Sequence, residues 1–160
     1  MWTVTESPVG DLRLVARDDH VSAIEFAPFL PPGDGRPLGE RDDSAVLLGR
    51  VREQLAAYFA KELTAFDLPL APTGSAFQRR VWDALLTIGY GETASYGEVA
   101  TRLGMTVAAS RAVGLANGRN PIPIVIPCHR VIGADGSLTG YAGGTARKQL
   151  LLELEQAALF

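Results

Sequence analysis

Residues 120–132 read Asn-Pro-Ile-Pro-Ile-Val-Ile-Pro-Cys-His-Arg-Val-Ile and contain Cys128, the only cysteine of the chain. Proline lacks a backbone N–H and has a fixed φ, so Pro121, Pro123 and Pro127 disfavour regular sheet pairing here. A rigid, irregular backbone that presents the thiol in a set position is expected instead. A lone free cysteine is usually a small buried hydrophobe. It becomes a nucleophile only as the thiolate, which needs a nearby cation or a base, and His129 and Arg130 are residue types suited to those tasks. Adjacency leaves both readings open. Successive side chains of an extended strand point to opposite faces, so His129 can serve Cys128 only if the backbone turns there or a water links the two.

A single cysteine excludes an internal disulfide, and with only His20 and His129 besides, no metal site is expected. The 160 residues suffice for one sizeable core or two small ones. The longest apolar runs fall far short of the roughly 20 residues that span a bilayer, and the amino terminus lacks a basic start followed by an apolar stretch. A cytoplasmic protein without a membrane partner is expected. The net charge of −3 is unevenly spread. Residues 1–75 carry 7 basic and 12 acidic side chains, whereas residues 76–160 carry 8 and 6. Between residues 100 and 149, Arg102, Arg111, Arg119, Arg130, Arg147 and Lys148 face a single acid, Asp135. That excess is a candidate phosphate-binding footprint, although a solvated basic face would look the same.

Residues 2–6, 11–16 and 21–27 alternate or run apolar between turns, which reads as an antiparallel meander, with His20 solvated at a turn tip. A proline- and glycine-rich loop follows over 28–43. Leu47, Val51, Leu55, Tyr58 and Phe59 recur at helical spacing over 44–61, with Asp42, Asp43 or Ser44 available as the cap. Pro69, Pro72 and Gly74 mark a boundary. The expected organisation is an amino-terminal α/β scaffold domain over 1–75 and a helical domain carrying the chemistry over 76–160, an α+β chain overall.

In the second part, Ser75 with Gln78 and Ser95 with Glu98 form capping-box patterns that open helices over about 76–88 and 96–103. Trp82 reads as core. Gly104 ends the second helix, and another is expected over 107–117. Two short helices joined by a glycine turn have the form of a helix-turn-helix. The second of these is mostly Ala, Gly and Ser with one arginine, Arg111, which suits close approach to a narrow minor groove better than base reading in the major groove; tight helix packing is the alternative. A turn is expected over 133–137, and the small residues around Tyr141 suit close approach to a flat ligand. In a last helix from about residue 145, Leu151, Leu154 and Ala158 face inward. Glu155 follows Leu151 by four residues and so lies on the apolar face, where a carboxylate is costly unless paired. His129 is a candidate partner.

Pro127-Cys128-His129-Arg130-Val131, with Arg111-Ala112-Val113-Gly114 and Thr93-Ala94-Ser95-Tyr96-Gly97, closely resembles the O6-alkylguanine-DNA alkyltransferases, the methylated-DNA–protein-cysteine methyltransferases. The resemblance covers essentially all of residues 77–155, and more loosely the amino-terminal half, which in that family is a ribonuclease-H-like α/β domain. It implies a DNA-repair protein whose Cys128 takes the alkyl group from O6 of a guanine flipped out of duplex DNA, once per molecule. It implies His129 as the base acting through a water, Glu155 as its orienter, Asn120 as the brace of the cysteine turn, and Tyr96 as donor to the leaving guanine. Arg111 would fill the space of the flipped nucleotide, with Ala109, Ser110, Ala112 and Gly114 against the DNA. Backbone at Cys128 and Val131 would read the base, and Tyr141 with Ala142 would close the pocket. The implied partner is double-stranded DNA containing O6-alkylguanine, with O4-alkylthymine and cooperative binding along DNA left open, and the implied protein is a monomer in solution without cofactors. Between Gly104 and Arg111 the chain carries one residue more than the family commonly has. An alkyltransferase-like binding protein is the first rival, which Cys128 opposes because such proteins replace the cysteine. A Cys-His hydrolase is the second, and it would have no use for Arg111.

Overall fold

A computed structural model of the chain describes residues 1–30, 38–138, 141 and 143–157. The chain divides into two compact units, Met1–Pro72 and Thr73–Phe160. In the first, strands β1 (Trp2–Thr5), β2 (Leu12–Arg17) and β3 (His20–Phe26) form an antiparallel sheet in the order β1-β2-β3. Helix α1 (Val46–Phe59) buries Leu48, Val51, Leu55 and Tyr58. Its amino terminus differs from expectation. The cap is Ala45, with no side-chain hydrogen bond, because the three candidate caps are otherwise engaged. Asp42 accepts from the Ser44 N–H and hydroxyl, and Asp43 is held by Thr3 and Arg41. His20 is exposed at the hairpin tip.

The second unit is mostly helical. Both capping boxes form, Ser75 with Gln78 at helix α2 (Ala76–Leu85) and Ser95 with Glu98 at helix α3 (Tyr96–Arg102). Helix α3 stops in the hydrogen-bond pattern of a Schellman motif, Gly104 N–H to Thr101 O and Met105 N–H to Ala100 O, with Gly104 at φ 74°. The next helix, α4 (Ser110–Gly118), begins three residues later than the sequence suggests. Residues Val107–Ala109, within the segment that holds the extra residue, form a tighter 3-10 turn instead. Trp82 is 1% exposed and donates from its indole to Ala116 O at 2.9 Å, which ties α2 to α4.

Two very short strands then bring the candidate site together. β4 (Ala94–Ser95) pairs in parallel with β5 (Val131–Ile132), Ala94 opposite Val131 and Ser95 opposite Ile132. The residue after β4 is Tyr96, and the three before β5 are Cys128, His129 and Arg130. Helix α5 (Thr145–Ala157) follows. Leu151 is fully buried, Leu152 nearly so and Leu154 half-buried, while Ala158 lies outside the described residues. No helix among the described residues is long and apolar enough to cross a membrane.

Candidate active site

The proline-framed segment is irregular. Asn120 braces it, donating from Nδ2 to Ile126 O at 2.8 Å and accepting the Ile122 N–H at 3.0 Å. Ile124 sits at φ 74°, a strained conformation for a β-branched residue, which persists only when its surroundings impose it. Residues Cys128–Arg130 then form a single 3-10 turn. With three residues per turn, their side chains leave the backbone in three different directions, and all three are buried. Adjacency in the chain is therefore not the adjacency of a strand.

Cys128 is 3% exposed. Burial pushes its thiol up to about 11, against the opposing influence of a hydrogen bond with Asn120 and the charge of Lys148. At neutral pH the sulfur is a protonated thiol, so nucleophilic chemistry here requires a base. The Cys128 carbonyl is already engaged, accepting from Asn117 Nδ2 at 3.3 Å and from the Val131 N–H.

His129 is wholly buried and its Nε2 lies 2.6 Å from Glu155 Oε2. Arg130 grips the same carboxylate, Nε to Oε1 at 2.8 Å and Nη2 to Oε2 at 3.2 Å, and its Nη1 donates to Ile88 O at 2.6 Å. Burial would raise the Glu155 pKa, but the hydrogen bonds from His129 and Arg130 and the Arg130 charge outweigh it and hold the carboxyl at about 2. Glu155 is thus an anion. Burial, aided by the charges of Arg130 and Lys148, lowers the His129 pKa despite Glu155, so the imidazole is neutral. A neutral ring that donates from Nε2 to the carboxylate carries its lone pair on Nδ1. Among the described residues that buried Nδ1 has no hydrogen-bond partner. The arrangement is a base with its proton-accepting atom uncommitted.

Tyr96 opens α3 and is half-buried. Its ring lies against Gly114 of α4, where an added Cβ would stand 3.6 Å from Cδ1 and Cε1. Gly114 thus faces the tyrosine. Arg111 and Ala112 are exposed in the first turn of α4, and Ala109 and Ser110 are half-buried. The outer face is less stripped than the composition suggests, since Val107 and Leu115, four residues either side of Arg111, are 68% and 66% exposed. A surface cavity of about 330 Å³ is lined by Tyr96, Gly97, Val107, Ser110 and Ala134. Val131 is buried. Burial, with the nearby Cys128, raises the Tyr141 pKa well above 10. Ala142 lies outside the described residues.

Of the six cations counted between residues 100 and 149, Arg130 and Lys148 are buried at 7% and 0% exposure. The basic footprint is correspondingly smaller, carried by Arg102, Arg111, Arg119 and the half-buried Arg147. Sequence reasoning assigned Arg130 to the thiol or to phosphate; its guanidinium is spent on Glu155. Asn117 and Lys148 were missed as site residues. Lys148 lies seven residues before Glu155, two helical turns, so the test that exposed Glu155 would have found it.

Two family models match the chain: the DNA binding domain of 6-O-methylguanine DNA methyltransferase over residues 76–157, and its ribonuclease-like domain over residues 1–72. A methylated-DNA–protein-cysteine methyltransferase of Mycobacterium bovis is 66% identical over 157 residues, 98% of this chain and 92% of the relative. One from Methanosarcina acetivorans is 48% identical over 158 residues, 96% and 97% of the two chains. The crystal structure of Mycobacterium tuberculosis OGT in complex with DNA matches at a TM-score of 0.90 with 48% sequence identity, covering 98% of this chain and 93% of that one. With both parts matched by models of one family and relatives aligned from end to end, the chain belongs to the 6-O-methylguanine DNA methyltransferase family.

Proposed function

We propose that this protein repairs DNA by moving the alkyl group of O6-alkylguanine in a duplex to its own Cys128, one transfer per molecule. The observation that carries the reading is the buried, neutral His129, fixed by Glu155 and Arg130 with Nδ1 uncommitted, next to a thiol that burial keeps protonated. His129 accepts the thiol proton through a water. The sulfur attacks the alkyl carbon, a C–S bond forms as the C–O6 bond breaks, and the electron pair of that bond stays with the guanine. The guanine anion takes up a proton, so the thiol hydrogen is formally exchanged for the alkyl group. Tyr96 donates towards the leaving base and lowers the cost of its negative charge. A thioether has no route back to the thiol, which makes the protein a reactant consumed by the reaction.

The alkylated oxygen is out of reach inside the base stack, so the nucleotide leaves the duplex for the reaction. The α4 face is the proposed minor-groove contact, with Arg111 occupying the vacated space and Ala109, Ser110 and Ala112 beside it. Val131 and Tyr141 belong to the base pocket. The backbone carbonyls at Cys128 and Val131 are the proposed readers of the exocyclic amine of the base.

Intact-mass spectrometry after incubation with an O6-methylguanine duplex tests the proposal. One added methyl group on Cys128, stoichiometric and without turnover, is the expected result; a protein unmodified after long incubation sinks it. Arg111→Ala weakens lesion engagement, and transfer rates equal to wild type would remove its role. Affinity for DNA falls as salt rises, and a flat response would remove the arginine face from the contact.

A further inference from the structure

Lys148 is the side chain that the transfer scheme leaves without a task. Its exposure is 0%, which places it among the largest fully buried side chains described. Transferring an ammonium group out of water is costly. Its position adds to that cost, since it is the fourth residue of α5 (Thr145–Ala157), near the helix end where the macrodipole disfavours a cation.

Its surroundings point to the reacting groups. Lys148 Nζ lies 5.9 Å from the centroid of the Tyr96 ring. Gly114 of α4 also lies against that ring, so a helix backbone and an ammonium group both border the tyrosine. The Lys148 charge also acts on both partners of the proton transfer. It favours the thiolate of Cys128 and disfavours the protonated form of His129. Seven residues along the same helix, Glu155 holds His129, so one face of α5 carries both the anion that orients the base and a cation near the nucleophile.

Resting on the transfer reading above, we propose that Lys148 is a positioning residue for that reaction, which holds the Tyr96 ring and offsets the negative charge that arises on sulfur and on the departing guanine. The step itself is unchanged: the cation moves no proton and forms no bond. Its effect is electrostatic: it favours the thiolate and keeps His129 unprotonated, and so able to accept the thiol proton, down to lower pH. The other titratable and charged groups bearing on these two are Glu155, Arg130 and Tyr141, with Arg147 acting on Tyr141; burial lowers the pKa of Lys148 itself, against the opposing influence of Cys128.

Lys148→Met keeps the length and apolar stem and removes the charge, and the full-length variant is compared with wild type on an O6-methylguanine duplex under single-turnover conditions from pH 6 to pH 10. The variant folds, and its pH–rate profile moves to higher pH by about one unit, which is about a tenfold loss of rate at a fixed pH on the rising limb. Lys148→Arg returns the profile to the wild-type position. Affinity for undamaged DNA is unaltered in both. A purely structural lysine would change rate or melting temperature without moving the profile, so an unshifted profile in a folded Lys148→Met protein overturns the proposal. Lys148→Gln serves if the Met variant does not fold, with the same two outcomes. A second arm uses iodoacetamide in place of DNA: Cys128 labelling slows in Lys148→Met and recovers in Lys148→Arg, and equal labelling rates in all three proteins also overturn it. Wild-type protein that never gains a methyl group defeats the transfer reading instead, which keeps the two failures distinguishable.

Discussion

Arg13 in the first unit and Arg130 in the second are both buried against a glutamate, and their surroundings differ. Arg13 pairs with Glu25 at 2.5 Å, donates to Leu30 O at 2.7 Å, and lies over the rings of Trp2 and Phe29 at 5.9 and 5.0 Å. The Glu25 side chain is 27% exposed, so water reaches the pair. Arg130 and Glu155 are 8% and 1% exposed, and their carboxylate holds a third member, His129. The first pair ends in packing, with the buried Arg13 Nε left without a hydrogen-bond partner among the described residues. The second delivers an oriented imidazole whose other nitrogen is uncommitted. In the proposed function the same two residue types serve cohesion in one unit and chemistry in the other, and the difference lies in the third partner and in access to water.

The largest test of that contrast is Glu155→Ala. It strands the Arg130 guanidinium and His129 Nε2 in a buried site, at a cost of about 3–5 kcal/mol in urea unfolding, and transfer is lost. The double variant Arg130→Met with Glu155→Leu recovers part of the stability, because well-packed apolar residues can replace a buried ion pair, but it stays inactive. A double variant as unstable as the single one would mean that the pair itself is a net source of cohesion.

A smaller effect appears with pH. Glu155 is held at about 2 in the folded chain against 4.5 when free. A depressed carboxylate stabilises the fold above the free value, and the contribution of about 3 kcal/mol is lost as the pH falls from 4.5 towards 2. His129, lowered from 6.5, acts with the same sign: the unfolded chain binds the proton first, so stability already declines below 6.5. Denaturation midpoints between pH 7 and pH 3 read both, and an acid limb unchanged in Glu155→Gln would exclude Glu155 as its source.

How much of this was legible in the sequence depended on whether a residue's local pattern determined its partner. The helices α2 and α3 were legible because Ser75 with Gln78 and Ser95 with Glu98 satisfy the helix ends by themselves. Glu155 was legible because a carboxylate on an apolar stripe must be paired. The direction of Arg130 was not, since adjacency to Cys128 says nothing of where a guanidinium ends when a 3-10 turn separates the side chains. The cap of α1 was misread because the three suitable residues found other partners: Asp42 and Ser44 bond to each other, and Thr3 and Arg41 hold Asp43. Ile124 at positive φ was invisible for a deeper reason: a β-branched residue carries no local preference for that region, and only the surrounding packing imposes it.

The smallest expected effect is the control on the other side of the comparison, Glu25→Ala. Removing this carboxylate leaves Arg13 with the Leu30 carbonyl and two aromatic faces. Because the Glu25 site is partly open, water replaces the lost oxygens, and the cost is that of an accessible ion pair, about 1 kcal/mol or less. Cation–π contact with Trp2 and Phe29 gains weight once the carboxylate no longer competes for the guanidinium. Transfer to Cys128 proceeds at the wild-type rate. Urea unfolding and a single-turnover assay on the same preparation give both numbers. A loss of 3 kcal/mol or more would show that Arg13 is as dependent on its glutamate as Arg130 is, and the distinction between a packed pair and a working one would then rest on His129 alone.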